Sequence, residues 1–244
     1  MIEVAGVTKT YGNKTAVDDV SLTAASGEMT YLLGPNGAGK STVMRMIAGI
    51  AKPDRGTITV DGKPLRAHGD LTGVIGFCLG AQSRNPQHTA VQHLRWQARL
   101  AGIAPREAER VLALVGLEPA AKKLVGGFSL GMLQRLGIAS ALLGDPATLV
   151  LDEPANGLDV EGVLWLRELF HQLTDRGTTL LVASHNLPEV EVTASRIIIM
   201  GQGRVLCDAP RDDVLALGEQ PRRLESAFLK LTRGTVEYVA GAQR

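Results

Sequence analysis

The stretch Gly34-Pro35-Asn36-Gly37-Ala38-Gly39-Lys40-Ser41-Thr42 constrains this chain more than any other. An apolar run, Met29 to Leu33, leads into it, and a helical pattern, Val43 to Ala48, leads out. A glycine-rich loop between a strand and a helix start is the setting in which backbone N–H groups cradle phosphate. Glycine at 34, 37 and 39 opens backbone conformations closed to other residues and lets a ligand approach closely. The N–H groups then point inward, and the positive end of the helix dipole backs them. Lys40 reaches the β- and γ-phosphates, and the Ser41 hydroxyl is a ligand for Mg²⁺. A glycine-rich turn that merely carries a lysine would not match every fixed position in this order. The loop predicts a nucleoside triphosphate site.

At 244 residues, 45% of them apolar, the chain can bury a substantial α/β core. Its net charge of +1 gives no field favouring nucleic acid, which is excluded as a partner. Cys78 and Cys207 lie far apart without metal-ligand spacing, as expected of buried or half-buried thiols in a reducing cytoplasm. Met1-Ile2-Glu3-Val4 has neither a basic start nor an apolar core, so no signal peptide is expected. No run approaches the ~18 to 20 apolar residues that cross a bilayer. A soluble protein is expected, one still able to dock on a membrane protein.

Residues 1 to 33 read as β structure, with strands at Glu3 to Thr8, Ala16 to Thr23 and Glu28 to Leu33. Tyr11, between the first two, is either packing or an aromatic face for a base. Strands are expected at Thr57 to Asp61 and Leu71 to Cys78. Ala90 to Ala101, Pro105 to Val115 and Leu130 to Leu142 read as helices, with Pro105 at a first helical position. From Thr148 the pattern alternates again: strand 148–151, helix 160–173, strand 178–183, helix 187–194, strand 196–200. Gly201-Gln202-Gly203-Arg204 turns the last strand into a hairpin with Val205 and Leu206. Val163, Leu166, Phe170 and Leu173 define one helix face, and Leu130, Leu133 and Leu136 another. The fold class is α/β: a phosphate-loop NTPase core with a mostly parallel sheet, an N-terminal antiparallel β subdomain and an inserted α-helical subdomain. One domain is expected over 1–220, with the helical insertion at about 80–144 and a short, partly helical tail over 221–244.

Leu149-Val150-Leu151-Asp152-Glu153 is an apolar strand ending in two acids, at the edge where ligands bind in open α/β sheets. Asp152 suits the Mg²⁺ shell, and Glu153 can polarise a water attacking the γ-phosphate. Ser184-His185 ends the following strand, where an imidazole can meet a phosphate oxygen or that water. Ser129, within Gly126 to Met132, is a helix N-cap on the bland reading. On the functional reading it makes a second phosphate-binding surface. Local sequence leaves both open.

In this order, these segments resemble the ATP-binding subunit of ABC transporters through residue 232 or so. The phosphate loop comes first, then Gly126 to Met132 with Gln134-Arg135, then Leu149 to Pro154. Ala155-Asn156-Gly157-Leu158-Asp159 and Ser184-His185 complete the series. The resemblance implies that Tyr11 and Val17 contact adenine, Asp152 supports Mg²⁺, Glu153 is the base and His185 senses the γ-phosphate. It implies that Ser129 and Gly131 touch the ATP of a second ATP-binding subunit, identical or homologous, and that Asp159 lies at the interface. A transmembrane permease is the implied partner, placing the protein in the cytoplasm, peripheral on the inner face of the cell membrane. Asn156-Gly157-Leu158-Asp159 and the tail Leu224 to Thr232 resemble bacterial export-type subunits. Two departures stand out. The family's Leu-Ser-Gly-Gly-Gln is here Phe128-Ser129-Leu130-Gly131-Met132, and its Mg²⁺-binding glutamine falls on Gly80, with Gln82 nearest.

A transport ATPase is therefore expected, against two alternatives: a soluble non-transport ABC-type ATPase, or a regulatory nucleotide-binding module without turnover. A single cassette without heptads or clustered cysteines weighs against the first, and Glu153 against the second.

Overall fold

The computed structural model describes residues 1–80 and 84–234. Along the chain run β1 (Ile2–Tyr11), β2 (Lys14–Ala24), β3 (Met29–Leu33), α1 (Lys40–Ile47) and β4 (Arg55–Val60). Then come β5 (Ile75–Leu79), α2 (Ala90–Leu100), α3 (Glu107–Leu114), α4 (Leu130–Ala141), β6 (Thr148–Asp152) and α5 (Val160–Asp175). The series closes with β7 (Thr179–Ala183), α6 (Leu187–Thr193), β8 (Arg196–Gly201), β9 (Arg204–Pro210), α7 (Arg211–Ala216) and α8 (Arg223–Thr232). Two compact units result: Met1–His68 with the chain from Leu181 onward, and Gly69–Leu180.

In the first unit β2, β1 and β4 form an antiparallel sheet. Val17, Val20, Leu22 and Ala24 of β2 are buried. The alternation slips between Val17 and Val20, where Asp19 takes φ 51° and the pairing with β1 shifts register. β3, buried at all five positions, pairs in parallel with β8 from Thr30–Arg196 to Leu33–Ile199. Such continuous apolar runs belong to strands covered on both faces. β9 returns antiparallel to β8. α8 is pinned by buried Leu224 and Ala227, and its Leu224 N–H donates to Glu191 Oε2 at 3.2 Å.

In the second unit β5 and β6 pair in parallel, Ile75 with Thr148 through Leu79 with Asp152. α4 lies so close to β5 that a Cβ on Gly76 would fall 2.0 Å from the Ala141 carbonyl oxygen. α2 begins with a capping box: Thr89 Oγ1 accepts from Gln92 N–H while the Gln92 side chain accepts from Thr89 N–H. Arg95 of α2 bonds Glu109 of α3.

Several boundaries differ from the sequence expectation. The strand expected from Leu71 begins only at Ile75, because Thr72 N–H donates to Asp70 Oδ1 at 2.8 Å and Gly73 takes φ 77°. Pro105 is not a first helical residue. It closes a tight turn, Ala108 N–H to Pro105 O at 3.2 Å, and α3 starts at Glu107. The β8–β9 hairpin extends to Pro210, and α7, absent from the sequence reading, follows at once. On α5 the buried face is Gly162, Leu166, Leu169, Phe170 and Leu173, with Val163 only half-buried. Leu130, expected to share a face with Leu136, is 63% exposed.

Candidate functional site

The strand-loop-helix unit forms as the sequence predicts: β3 runs into residues 34–39 and α1 starts at Lys40. Gly39 is the N-cap residue at φ 99° and ψ −3°, a conformation that side chains disfavour. Space forbids one as well, since a Cβ there would lie 2.5 Å from the Ala16 carbonyl oxygen. No side chain caps α1, and its first turn carries no acid. The positive end of this helix therefore meets no carboxylate of its own first turn. The Lys40 side chain, only 9% exposed, folds over the loop and donates to Gly34 O at 2.6 Å and Pro35 O at 3.3 Å. Asn36, Gly37 and Ser41 are exposed, Pro35 and Thr42 half-buried, Ala38 buried. A buried ammonium above an acid-free helix start is an environment made for an anion with several oxygens.

Remote residues hold the loop in shape. Gly203, in the β8–β9 turn, donates its N–H to Ala38 O at 3.1 Å and accepts from Asp18 N–H at 2.8 Å. Arg204 bonds Asp18 Oδ2 through both Nε and Nη2, at 2.9 and 2.5 Å. The sequence reading found only a turn in these residues.

The same unit holds three other predicted residues. Tyr11 is 50% exposed, with Lys9 Nζ 5.5 Å from its ring centroid. Val17 has no exposed surface and packs beneath the loop, its Cγ2 3.4 Å from where a Gly39 Cβ would stand. Tyr11 is the one of the two with a face to offer a base. β7 ends alongside β3, with Ser184 N–H donating to Leu32 O at 3.4 Å, and His185 follows exposed. Ser184 Oγ accepts from Asn186 N–H at 3.0 Å, turning the chain at that point.

The second unit carries Ser129, Gly131, Asp152, Glu153 and Asp159. Asp152 closes β6, half-buried, and Glu153 follows at φ 52°, left-handed without being glycine. Such backbone strain is retained where function uses it or packing enforces it. Here Glu153 O accepts from Asn156 N–H at 3.1 Å and from Gln134 Nε2 at 3.4 Å. Ser129 does cap α4, its Oγ accepting from Met132 N–H at 3.2 Å. Accepting leaves the hydroxyl hydrogen to donate, so capping and phosphate contact are compatible. Asp159 caps α5 by accepting from Gly162 N–H at 2.8 Å. The Arg135 guanidinium stacks 3.9 Å from the Trp165 ring centroid and donates to Val115 O at 2.9 Å. Leu130, which replaces a glycine of the family pattern, covers Gly157, where a Cβ would fall 2.4 Å from its Cγ.

Behind these acids lies a thiol unsuited to chemistry. Burial pushes the Cys78 pKa up to about 11, nearby Asp152 adds to the rise, and Arg84 opposes it. His93 is lowered by burial, with Arg84 and His88 adding to the effect. Gly80 takes φ 62° with open space where a side chain would stand, and Gln82 lies outside the described residues. Among the described residues no cluster of three or more His, Cys, Asp or Glu could hold a metal ion alone. Ser41 in the first unit and Asp152 in the second each carry an oxygen of the hard type that Mg²⁺ takes. Nor, among the described residues, is any helix long and apolar enough to cross a membrane.

Known proteins share this architecture. The family described as ABC transporter matches residues 17–156. The bacitracin transport ATP-binding protein BcrA of Bacillus licheniformis is 40% identical over 222 residues, 87% of this chain and 70% of its own length. The Nod factor export ATP-binding protein I of Mesorhizobium japonicum is 39% identical over 212 residues, 85% of this chain and 62% of that one. Among solved structures, an ATP-binding subunit of an ABC transporter superposes with a TM-score of 0.84 at 28% identity, covering 95% of this chain and 99% of that one. A dimeric bacterial ABC transporter cassette gives 0.79 at 26% identity, covering 86% and 99%.

Proposed function

The chain belongs to the ABC transporter family, and from that premise we propose that it is the ATP-binding and hydrolysing subunit of an exporter, driving a separate membrane permease. The observation that carries the reading is the phosphate loop: an acid-free helix start behind a buried Lys40 that spends its protons on loop carbonyls. Triphosphate oxygens offer that ammonium better acceptors than two neutral carbonyls, because charge-assisted bonds are roughly twice as strong. Tyr11 supplies the base-stacking face, and residues 34–42 the phosphate cradle. Ser41 and Asp152 are our Mg²⁺ ligands; when bound, the ion neutralises charge on the phosphates. Glu153 polarises the attacking water, and His185 hydrogen-bonds the γ-phosphate. Ser129 and Gly131 serve the ATP of a second cassette, so two chains act as a pair, docked on the permease at the inner face of the membrane. Export is our reading by likeness to the Nod factor export relative.

Glu153→Gln tests the chemistry. It keeps the shape of the side chain and removes the base, so turnover should fall by ~10²- to 10⁴-fold with ATP affinity retained. Normal hydrolysis in this variant would remove Glu153 from its role. Detergent extraction of the tagged chain tests the transport reading: a polytopic membrane protein should accompany it in fixed stoichiometry. Recovery as a free soluble ATPase would favour the non-transport alternative.

A further inference from the structure

The helix capped by Ser129 touches the Glu153 loop at two successive levels and α5 at a third. Leu130 lies over Gly157, and Gly131 is so close that a Cβ there would stand 2.9 Å from Gly157 O. One turn on, Gln134 Nε2 donates to Glu153 O at 3.4 Å. Beyond that, Arg135 stacks on Trp165 of α5; burial lowers its pKa, and the nearby Asp159 carboxylate opposes that shift. The loop under this helix contains the strained residue: Glu153 at φ 52°, in a region that costs any non-glycine residue energy unless its surroundings enforce it. Its carbonyl takes one bond from within the loop, Asn156 N–H at 3.1 Å, and one from outside, the Gln134 amide.

We infer that Gln134 is a positioning residue for ATP hydrolysis: by holding the Glu153 carbonyl it couples the backbone of the base to the helix capped by Ser129. Any displacement of the start of α4 then moves the peptide from which the Glu153 carboxylate projects. Ser129 and Glu153 thus belong to one mechanical element, although 24 positions apart by their numbers. The inference rests on the reading of Glu153 as the base. It goes beyond that reading by naming the group that fixes the base's main chain.

The test uses the full chain and four variants. Gln134→Met keeps the volume without a donor, and Gln134→Glu keeps the shape while turning donor into acceptor. Glu153→Gln and the Gln134→Met/Glu153→Gln double variant complete a cycle. Steady-state ATPase rates and fluorescent-nucleotide binding are measured on each. Both Gln134 variants should lose kcat about ten- to a hundredfold, as expected of a base displaced by ~1 Å. KM and ATP affinity should stay within about twofold, because the phosphate cradle is untouched. In the Glu153→Gln background the Gln134→Met change should cost less than about twofold more, since a missing base cannot be misplaced. Wild-type kcat in either Gln134 variant, losses confined to KM, or losses that multiply in the double variant would overturn the inference. Full turnover of Glu153→Gln alone would instead defeat the assignment of the base, a distinguishable result.

Discussion

Replacing Gly39 by alanine isolates what shapes the phosphate loop. Two penalties are readable at this position. The first is conformational: at φ 99° a Cβ meets the neighbouring carbonyl, at a cost of about 1–2 kcal/mol. The second is steric: the new methyl carbon would stand 2.5 Å from Ala16 O, well inside van der Waals contact, and 3.4 Å from Val17 Cγ2. Forcing a methyl into packed structure costs roughly 1–3 kcal/mol. The sum is about 2–5 kcal/mol. Gly12 supplies the control, since it too is left-handed, φ 56°, but with nothing within 4 Å of a Cβ. Gly12→Ala should therefore cost only the first penalty, about 1–2 kcal/mol. Thermal unfolding compares them, at about 2–4 °C per kcal/mol for a chain of this size. ATP titration supplies a second axis, on which Gly39→Ala should lose affinity and Gly12→Ala should not. A Gly39→Ala protein as stable as Gly12→Ala, with normal nucleotide binding, would show that the close approach to Ala16 O does not shape the loop.

Three further outcomes are expected. Ser129→Ala should cost about 1 kcal/mol of stability through the lost cap, whereas Ser129→Arg should retain ATP binding yet abolish turnover; full turnover in the arginine variant would leave only the capping role. Because the folded-state pKa of His93 is lowered by burial, the unfolded chain binds the extra proton first. That stability is complete above about pH 6.5 and is lost as pH falls from there through the folded value. His93→Gln should flatten the fall in melting temperature between about pH 6.5 and 5, and an unchanged slope would exclude it. Cys78, its thiol pushed to about 11 and 1% exposed, should resist maleimide at neutral pH until the protein unfolds. Cys207, half-buried and raised mainly by burial, should react slowly; rapid labelling of Cys78 in the folded protein would contradict its packing.

Features that one short stretch of residues determines could be read from the chain alone. The phosphate loop is such a feature, because its glycines, lysine and flanking periodicities occupy consecutive positions. The cap at Ser129 follows from a side chain that reaches only three residues ahead; the cap at Asp159 has the same reach but went unread. The strand at 75–79 was read too long because the Asp70-Thr72 turn competes with extended structure through a single side-chain bond. α7 has only six residues, Arg211–Ala216, too few for a helical period to stand out after β9. What depends on the folded path could not be seen at all. No local pattern states that Gln134 meets the Glu153 carbonyl, that Leu130 roofs Gly157, or that Val17 is sealed beneath Gly39.

The brace on the phosphate loop has a consequence for how the protein is made. Gly203 follows its partner Ala38 out of the ribosome after roughly 165 further residues, ~8–33 s of synthesis at about 5–20 residues per second. Throughout that interval the nascent loop possesses its full motif and no clamp. The clamp on the loop therefore cannot form until the β8–β9 turn has been made and closes on Ala38 and Asp18. A ribosome stalled before that turn holds a polypeptide with the whole motif and an unfinished site.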